Sequence, residues 1–149
     1  MSGYTSVDEF QDDYSQMVRD SILDVELNDG ARELLKILNQ HTILVGIVTT
    51  SYREYILKQA EKDDVQDMFG YLIGFEDVTK TKPDPEPVIK MLEIIGANKE
   101  EAIMIGDTEK DVIAAQEAGI DSILFRPEQN RVFYGSGNLI SVEPTYQVE

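Results

Sequence analysis

With 149 residues, 42% of them hydrophobic, the chain is sized for one domain with a substantial core and no elaborate second domain. Its 29 acidic against 13 basic residues give a formal charge of -16, which repels nucleic acid and anionic lipid and excludes both as general partners. The lack of cysteine excludes disulfides and thiolate metal sites. Five acids and no apolar core among the first twenty residues argue against a signal peptide, and the longest apolar run, 43–48, is too short to span a bilayer, so a cytoplasmic location is expected.

Val7, Phe10, Tyr14, Met17, Val18 and Ile22 recur at helical spacing with Asp8, Glu9, Asp12, Asp13 and Asp20 between them, which predicts an amphipathic helix with an acidic face. Asn28 or Asp29 then offers an N-cap to a helix lined by Leu34, Leu35 and Leu38. Residues 43–48 read as a strand buried on both faces, of the parallel-sheet type. Ser51 and Glu54 have the spacing of a capping box, opening a helix to about residue 62. A short strand is expected over 71–75. Asp84 and Pro85 open a helix carrying Val88, Met91, Leu92 and Ile95, which Gly96 ends. Residues 102–105 predict a strand, 107–118 a helix closed by Gly119, and 122–125 a further strand. Beyond Arg126 the pattern weakens to a loop at 135–137 and a possible strand at 139–142. Strands alternating with helices predict a three-layer, Rossmann-like α/β fold with a parallel sheet, its ligands at the carboxyl ends of the strands.

Three polar clusters fall at those strand ends. Thr49, Thr50 and Ser51 follow the first buried strand, and their hydroxyls suit an anionic oxygen, although a strand end followed by a helix cap explains them too. Lys82 lies in Lys80-Thr81-Lys82-Pro83-Asp84-Pro85, where prolines would aim an ammonium in a constant direction; a solvated lysine ahead of a proline-capped helix is the simpler alternative. Gly106 turns the chain sharply into Asp107 and Thr108, with Asp111 one helical turn later. Two acids so placed suit Mg²⁺, and they equally suit an N-cap and a helix dipole. His41, the sole histidine, is expected in a turn or capping role. Tyr52 and Tyr55 are expected to pack or line a helix surface.

The ordered set of Thr49, Lys82 in Lys-Pro-Asp-Pro, Gly106-Asp107-Thr108 with Asp111, and Ala114-Ala115 with Ala118-Gly119 resembles the haloacid dehalogenase-like hydrolases, a phosphatase-rich superfamily, across roughly 28–126. The resemblance implies a single domain over 1–149, with 1–27 a remnant cap helix and 28–149 the α/β core. It implies that Thr49 and Thr50 bind phosphate, that Lys82 neutralises it, that Asp107 ligates Mg²⁺, and that Asp111 supports metal and lysine from the side. The implied substrate is a small phosphorylated metabolite.

The family's nucleophile is an aspartate in an N-terminal Asp-x-Asp-x-Thr strand, which attacks phosphorus to give an aspartyl phosphate. That motif is missing from this sequence. The nearest candidate is Asp24 in Ile22-Leu23-Asp24-Val25-Glu26-Leu27-Asn28, where Glu and Asn replace the second Asp and the Thr. A simpler account has the chain begin inside the cap, leaving a mid-sheet gap between the threonine strand and the Gly106-Asp107 strand. The neighbours then close up, another segment fills the slot, or another polypeptide donates a strand. Two functions follow: a Mg²⁺-dependent phosphomonoester phosphatase impaired in its nucleophile, or a non-catalytic binding module using its acidic surface or open sheet edge for a protein partner or self-association.

Overall fold

The computed structural model describes residues 6–22, 25–125, 131–134 and 139–142. The chain divides into two compact units, one of Met1–Val45 with Ser51–Gly70 and the other of Gly46–Thr50 with Tyr71–Glu149.

The first unit is helical. Helix α1, Val7–Ile22, follows the predicted span and carries Asp8 and Glu9 in its first turn, where they complement the helix dipole. Helix α2 spans Ala31–Gln40. Its N-cap is Gly30, in the left-handed region at φ 81°, in place of the expected Asn28 or Asp29; glycine adopts that conformation without steric penalty. His41 is the C-cap of α2 and is exposed, as expected. Helix α3, Arg53–Lys62, starts two residues beyond Ser51, with Tyr52 at the N-cap position. Tyr55 is buried and takes the edge of the exposed Tyr52 ring at a centroid distance of 5.9 Å. Asn39 donates to Leu35 O and Met68 O, and Arg32 to Asp64 O, tying α2 to the 3-10 turn after α3.

The second unit is α/β. Strand β1, Gly46–Val48, pairs in parallel with β2, Tyr71–Ile73. Helix α4 spans Glu86–Ile95, and Gly96 closes it at φ 72°. Strand β3, Ile103–Gly106, leads into helix α5, Glu109–Ala118, and then into β4, Asp121–Leu124, parallel to β3. Strands β5, Arg131–Tyr134, and β6, Leu139–Val142, continue that sheet in antiparallel fashion. The core joins α4 to α5 through Val88, Ala114, Ala115, Ala118 and Ile120, with Leu92, Ala102 and Met104 packed against it. Three alanines with no exposed surface bring α5 close to the strands, since they add no side-chain bulk at the contact.

The α/β class and its parallel strands agree with the sequence reading, with three differences. The strand expected over 43–48 begins at Gly46, and Ile43 and Leu44 are exposed rather than buried on both faces. Ile43 and Leu44 lie ahead of β1 and outside its pairing with β2, and within β1 Ile47 and Val48 are half-buried. The sheet is also not wholly parallel, because β5 was unforeseen and returns against β4. Among the described residues β1–β2 and β3–β4–β5–β6 are separate hydrogen-bonded sets, so the two neighbours of the expected gap have not closed up. Asp24 and the loop expected at 135–137 lie outside the described residues.

Candidate active site

The second unit holds a cavity of about 730 Å³, lined by Thr49 and Thr50 after β1, by Thr81 and Lys82, and by Asp107 through Asp111 after β3. Its position at the carboxyl ends of parallel strands is where an α/β sheet leaves room for ligands.

Local sequence places each group. Thr49 N–H donates to Ile73 O at 2.9 Å, extending the β1–β2 ladder by one residue and fixing the threonine at the rim. Lys82 lies in a loop held by one acid: Thr79 N–H and Lys80 N–H donate to the two carboxylate oxygens of Glu86 at 2.7 and 2.9 Å. Asp84 accepts from Glu86 N–H at 3.0 Å, so it does cap the start of α4, and Pro85 occupies the N-cap. The Lys82–Pro83 peptide bond is cis.

The Lys82 ammonium donates to Val48 O at 2.9 Å and to Asp111 Oδ1 at 2.6 Å. Both side chains are largely buried, at 12% and 7% exposure. Asp111 Oδ2 accepts from Thr108 N–H at 3.0 Å and from Thr108 Oγ1–H at 2.7 Å, so Thr108 and Asp111 together start α5. Burial alone would raise the Asp111 carboxyl; the hydrogen bonds from Lys82 and Thr108 and the charge of Lys82 outweigh it and hold the group below the ordinary carboxylate value. Gly106 is required here, because a Cβ at that position would overlap the Asp111 side chain.

Thr49, Thr50, Lys82, Asp107 and Asp111, which the sequence reading singled out, therefore share one cavity. Asp107 is exposed in that cavity, whereas both oxygens of Asp111 are already engaged. The exposed carboxylates of Asp107 and Glu109 and the threonine hydroxyls along this lining fit a hard cation that keeps water or phosphate in most of its shell, as Mg²⁺ does. Among the described residues no three His, Cys, Asp or Glu side chains form a cation cage. Sequence reasoning missed Thr81, Glu109 and Lys110 on the cavity wall and Glu86 behind it. For Glu86 the signal was present as an acid two residues after the Asp84 cap.

The haloacid dehalogenase-like hydrolase family matches residues 2–125. The chain belongs to that family. Among curated haloacid dehalogenase-like relatives, the pyrophosphatase PpaX of Halalkalibacterium halodurans is 35% identical over 96 residues, 64% of this chain and 45% of the relative. PpaX of Bacillus cereus strain AH820 is 35% identical over 95 residues, 64% of this chain and 44% of the relative. The chain thus spans about half the length of the curated relatives it matches. A solved HAD-superfamily hydrolase from Ehrlichia chaffeensis superposes with a TM-score of 0.65 at 34% identity, over 68% of this chain and 50% of that one. One of subfamily IA from Geobacter sulfurreducens gives 0.67 at 26%, over 76% and 53%. Among the described residues no helix is long and apolar enough to cross a membrane.

Proposed function

We propose that this chain carries the phosphate- and magnesium-binding half of a phosphohydrolase site acting on a phosphomonoester or diphosphate metabolite, within one family domain over 1–149 that keeps residues 1–27 as a cap remnant. The observation that carries this reading is the Lys82 ammonium held between Val48 O and Asp111 at the wall of the cavity that Asp107 faces. The resemblance of the chain to proteins named pyrophosphatase supports a phosphoric anhydride as one substrate to test.

In this reading Thr49 and Thr50 donate to the phosphoryl oxygens, and Lys82 offsets their charge against a surface that is otherwise strongly acidic. Asp107 would hold Mg²⁺, with Asp111 acting behind it by fixing Lys82 and Thr108. Bound Mg²⁺ would polarise the phosphoryl group and screen its charge from the protein's acids. Among the described residues no carboxylate is identified to attack phosphorus, so low turnover by this chain alone is part of the proposal, with Asp24 as the weak candidate for that role. The alternative is a non-catalytic binding module, favoured by edges of β1 and β3 that have no paired strand among the described residues.

The test is phosphate release from pyrophosphate and from p-nitrophenyl phosphate, with and without Mg²⁺, alongside calorimetry of Mg²⁺ with inorganic phosphate. The expected result is Mg²⁺-dependent phosphate binding that Asp107→Asn and Lys82→Met abolish, with turnover near background. Rapid turnover lost in Asp24→Asn would overturn the impaired-site reading, and no binding of either ion would leave the binding module.

A further inference from the structure

We infer that Glu86 and Lys90, one turn apart on α4 and outside the cavity, are positioning residues for Lys82: they lock the chain at 77–80 onto the helix and so fix the point from which the ammonium is presented. The consequence for phosphate rests on the phosphate reading; the placement of Lys82 does not.

A lysine head sits on a flexible four-carbon stem, so its position is only as fixed as the backbone at its root. Glu86 and Lys90 lie on one face of α4 with the acid N-terminal, the arrangement that ordinarily forms an ion pair along a helix surface. Among the described residues the two form no such pair. The Glu86 carboxylate instead accepts from Thr79 N–H at 2.7 Å and from Lys80 N–H at 2.9 Å, and the Lys90 ammonium donates to Asp77 O. Charge-assisted bonds to main-chain groups hold backbone more firmly than a surface ion pair holds two side chains. Asp77 is tied down in turn, its carboxylate accepting from Gly74 N–H at 2.9 Å.

The chain is gripped on the far side of Lys82 as well. Thr81 O accepts from Asp84 N–H at 3.0 Å, and the Asp84 carboxylate accepts from Glu86 N–H at 3.0 Å. Glu86 therefore holds the loop twice, by its carboxylate before Lys82 and by its N–H after it. The helix beneath is a firm base, since Pro87, Val88 and Met91 are buried and Val88 belongs to the core shared with α5. Asp111, which receives Lys82, stands on α5, so a shift of 77–80 along α4 would move the lysine against its acceptor. With Val48 O and Asp111 engaged, the ammonium keeps one of its protons for a ligand, and the clamp sets the direction of that donor. Neither Glu86 nor Lys90 lines the cavity, so replacing them alters no contact with a ligand there.

The test uses the full chain with isotope-labelled lysine. Nuclear magnetic resonance follows proton exchange at the Lys82 ammonium, assigned through its loss in Lys82→Arg, and calorimetry follows inorganic phosphate binding in Mg²⁺. The wild type should show a slowly exchanging Lys82 ammonium; Glu86→Gln and Lys90→Met should each speed that exchange about ten-fold and weaken phosphate binding about ten-fold. Glutamine fails because its amide NH₂ opposes one of the two loop N–H groups. Lys90→Arg, which keeps a donor, should hold both readouts near wild type, and Glu93→Gln, which removes an exposed acid from the same helix, should change neither.

An unchanged Lys82 signal in Glu86→Gln and Lys90→Met would overturn the inference, as would a fast-exchanging ammonium in the wild type or an equal effect of Glu93→Gln. Equally accelerated exchange at the backbone amides of β3 would also overturn it, because the effect would then be a general loosening. A Lys82 signal that responds as expected in a chain that binds no phosphate would support the clamp and overturn the phosphate reading alone.

Discussion

Lys82 and Asp111 are joined by a 2.6 Å charged hydrogen bond, and each is held from behind, the lysine by Val48 O and the acid by Thr108. The pair is therefore a fixed wall of the cavity, with a cation presented to it in one position.

Removing the cation should be costly. Lys82→Met leaves Asp111, whose side chain is 7% exposed, buried without its counter-charge. Loss of one partner of such a pair destabilises by about 3 kcal/mol. Urea unfolding should show a lower midpoint at unchanged slope, and a wild-type midpoint would mean that the acid finds another partner.

Acid should weaken the fold through the same residue. Hydrogen bonds and charge hold the folded Asp111 carboxyl below its ordinary value despite burial, so the unfolded chain binds this proton more readily. Its contribution is fully present above the unfolded value and declines as pH falls through that range toward the lowered folded value. Urea midpoints taken from neutral pH downward should fall less steeply for Asp111→Asn than for the wild type. Parallel curves would remove Asp111 from the acid response.

Gly106→Ala should disturb fold and site together. Its methyl group would overlap Asp111, which cannot retreat without releasing Lys82 or Thr108. Overpacking of this kind costs about 1–3 kcal/mol. A lower melting temperature together with weaker inorganic phosphate binding is expected; a drop in stability with full phosphate retention would separate the two.

Two aliphatic truncations in neighbouring strands should differ sharply. Leu124→Ala removes a side chain 2% exposed and should cost about 3 kcal/mol. Ile105→Ala, at 50% exposure, should cost about 1 kcal/mol, because half of its surface is already in water. Equal losses by chemical denaturation would show that Ile105 is covered in solution.

Much of the site was legible because it depends on local chain chemistry. Gly106, Asp107, Thr108 and Asp111 lie in one short stretch of the sequence, and the strand-to-helix turn that places them needs a glycine and a cap. Lys82 was legible from its prolines, yet its bond to Val48 O joins residues 34 apart, and no periodicity announces such a contact. The burial of 43–48 was misread for a related reason: an apolar run indicates what a strand would bury, while the elements packed on its faces decide what it does bury. Strand β5 escaped because it pairs only with its sheet neighbours, a non-local condition that four residues do not signal on their own.

Gly46 leaves a place on β1 into which the buried Met91 of α4 reaches with its sulfur and terminal methyl group. The seating of this strand thus depends on a thioether. Oxidation to the sulfoxide would add a polar oxygen where there is little space, and peroxide exposure would loosen β1 from α4, and with it the Thr49 side of the cavity, without any change of sequence.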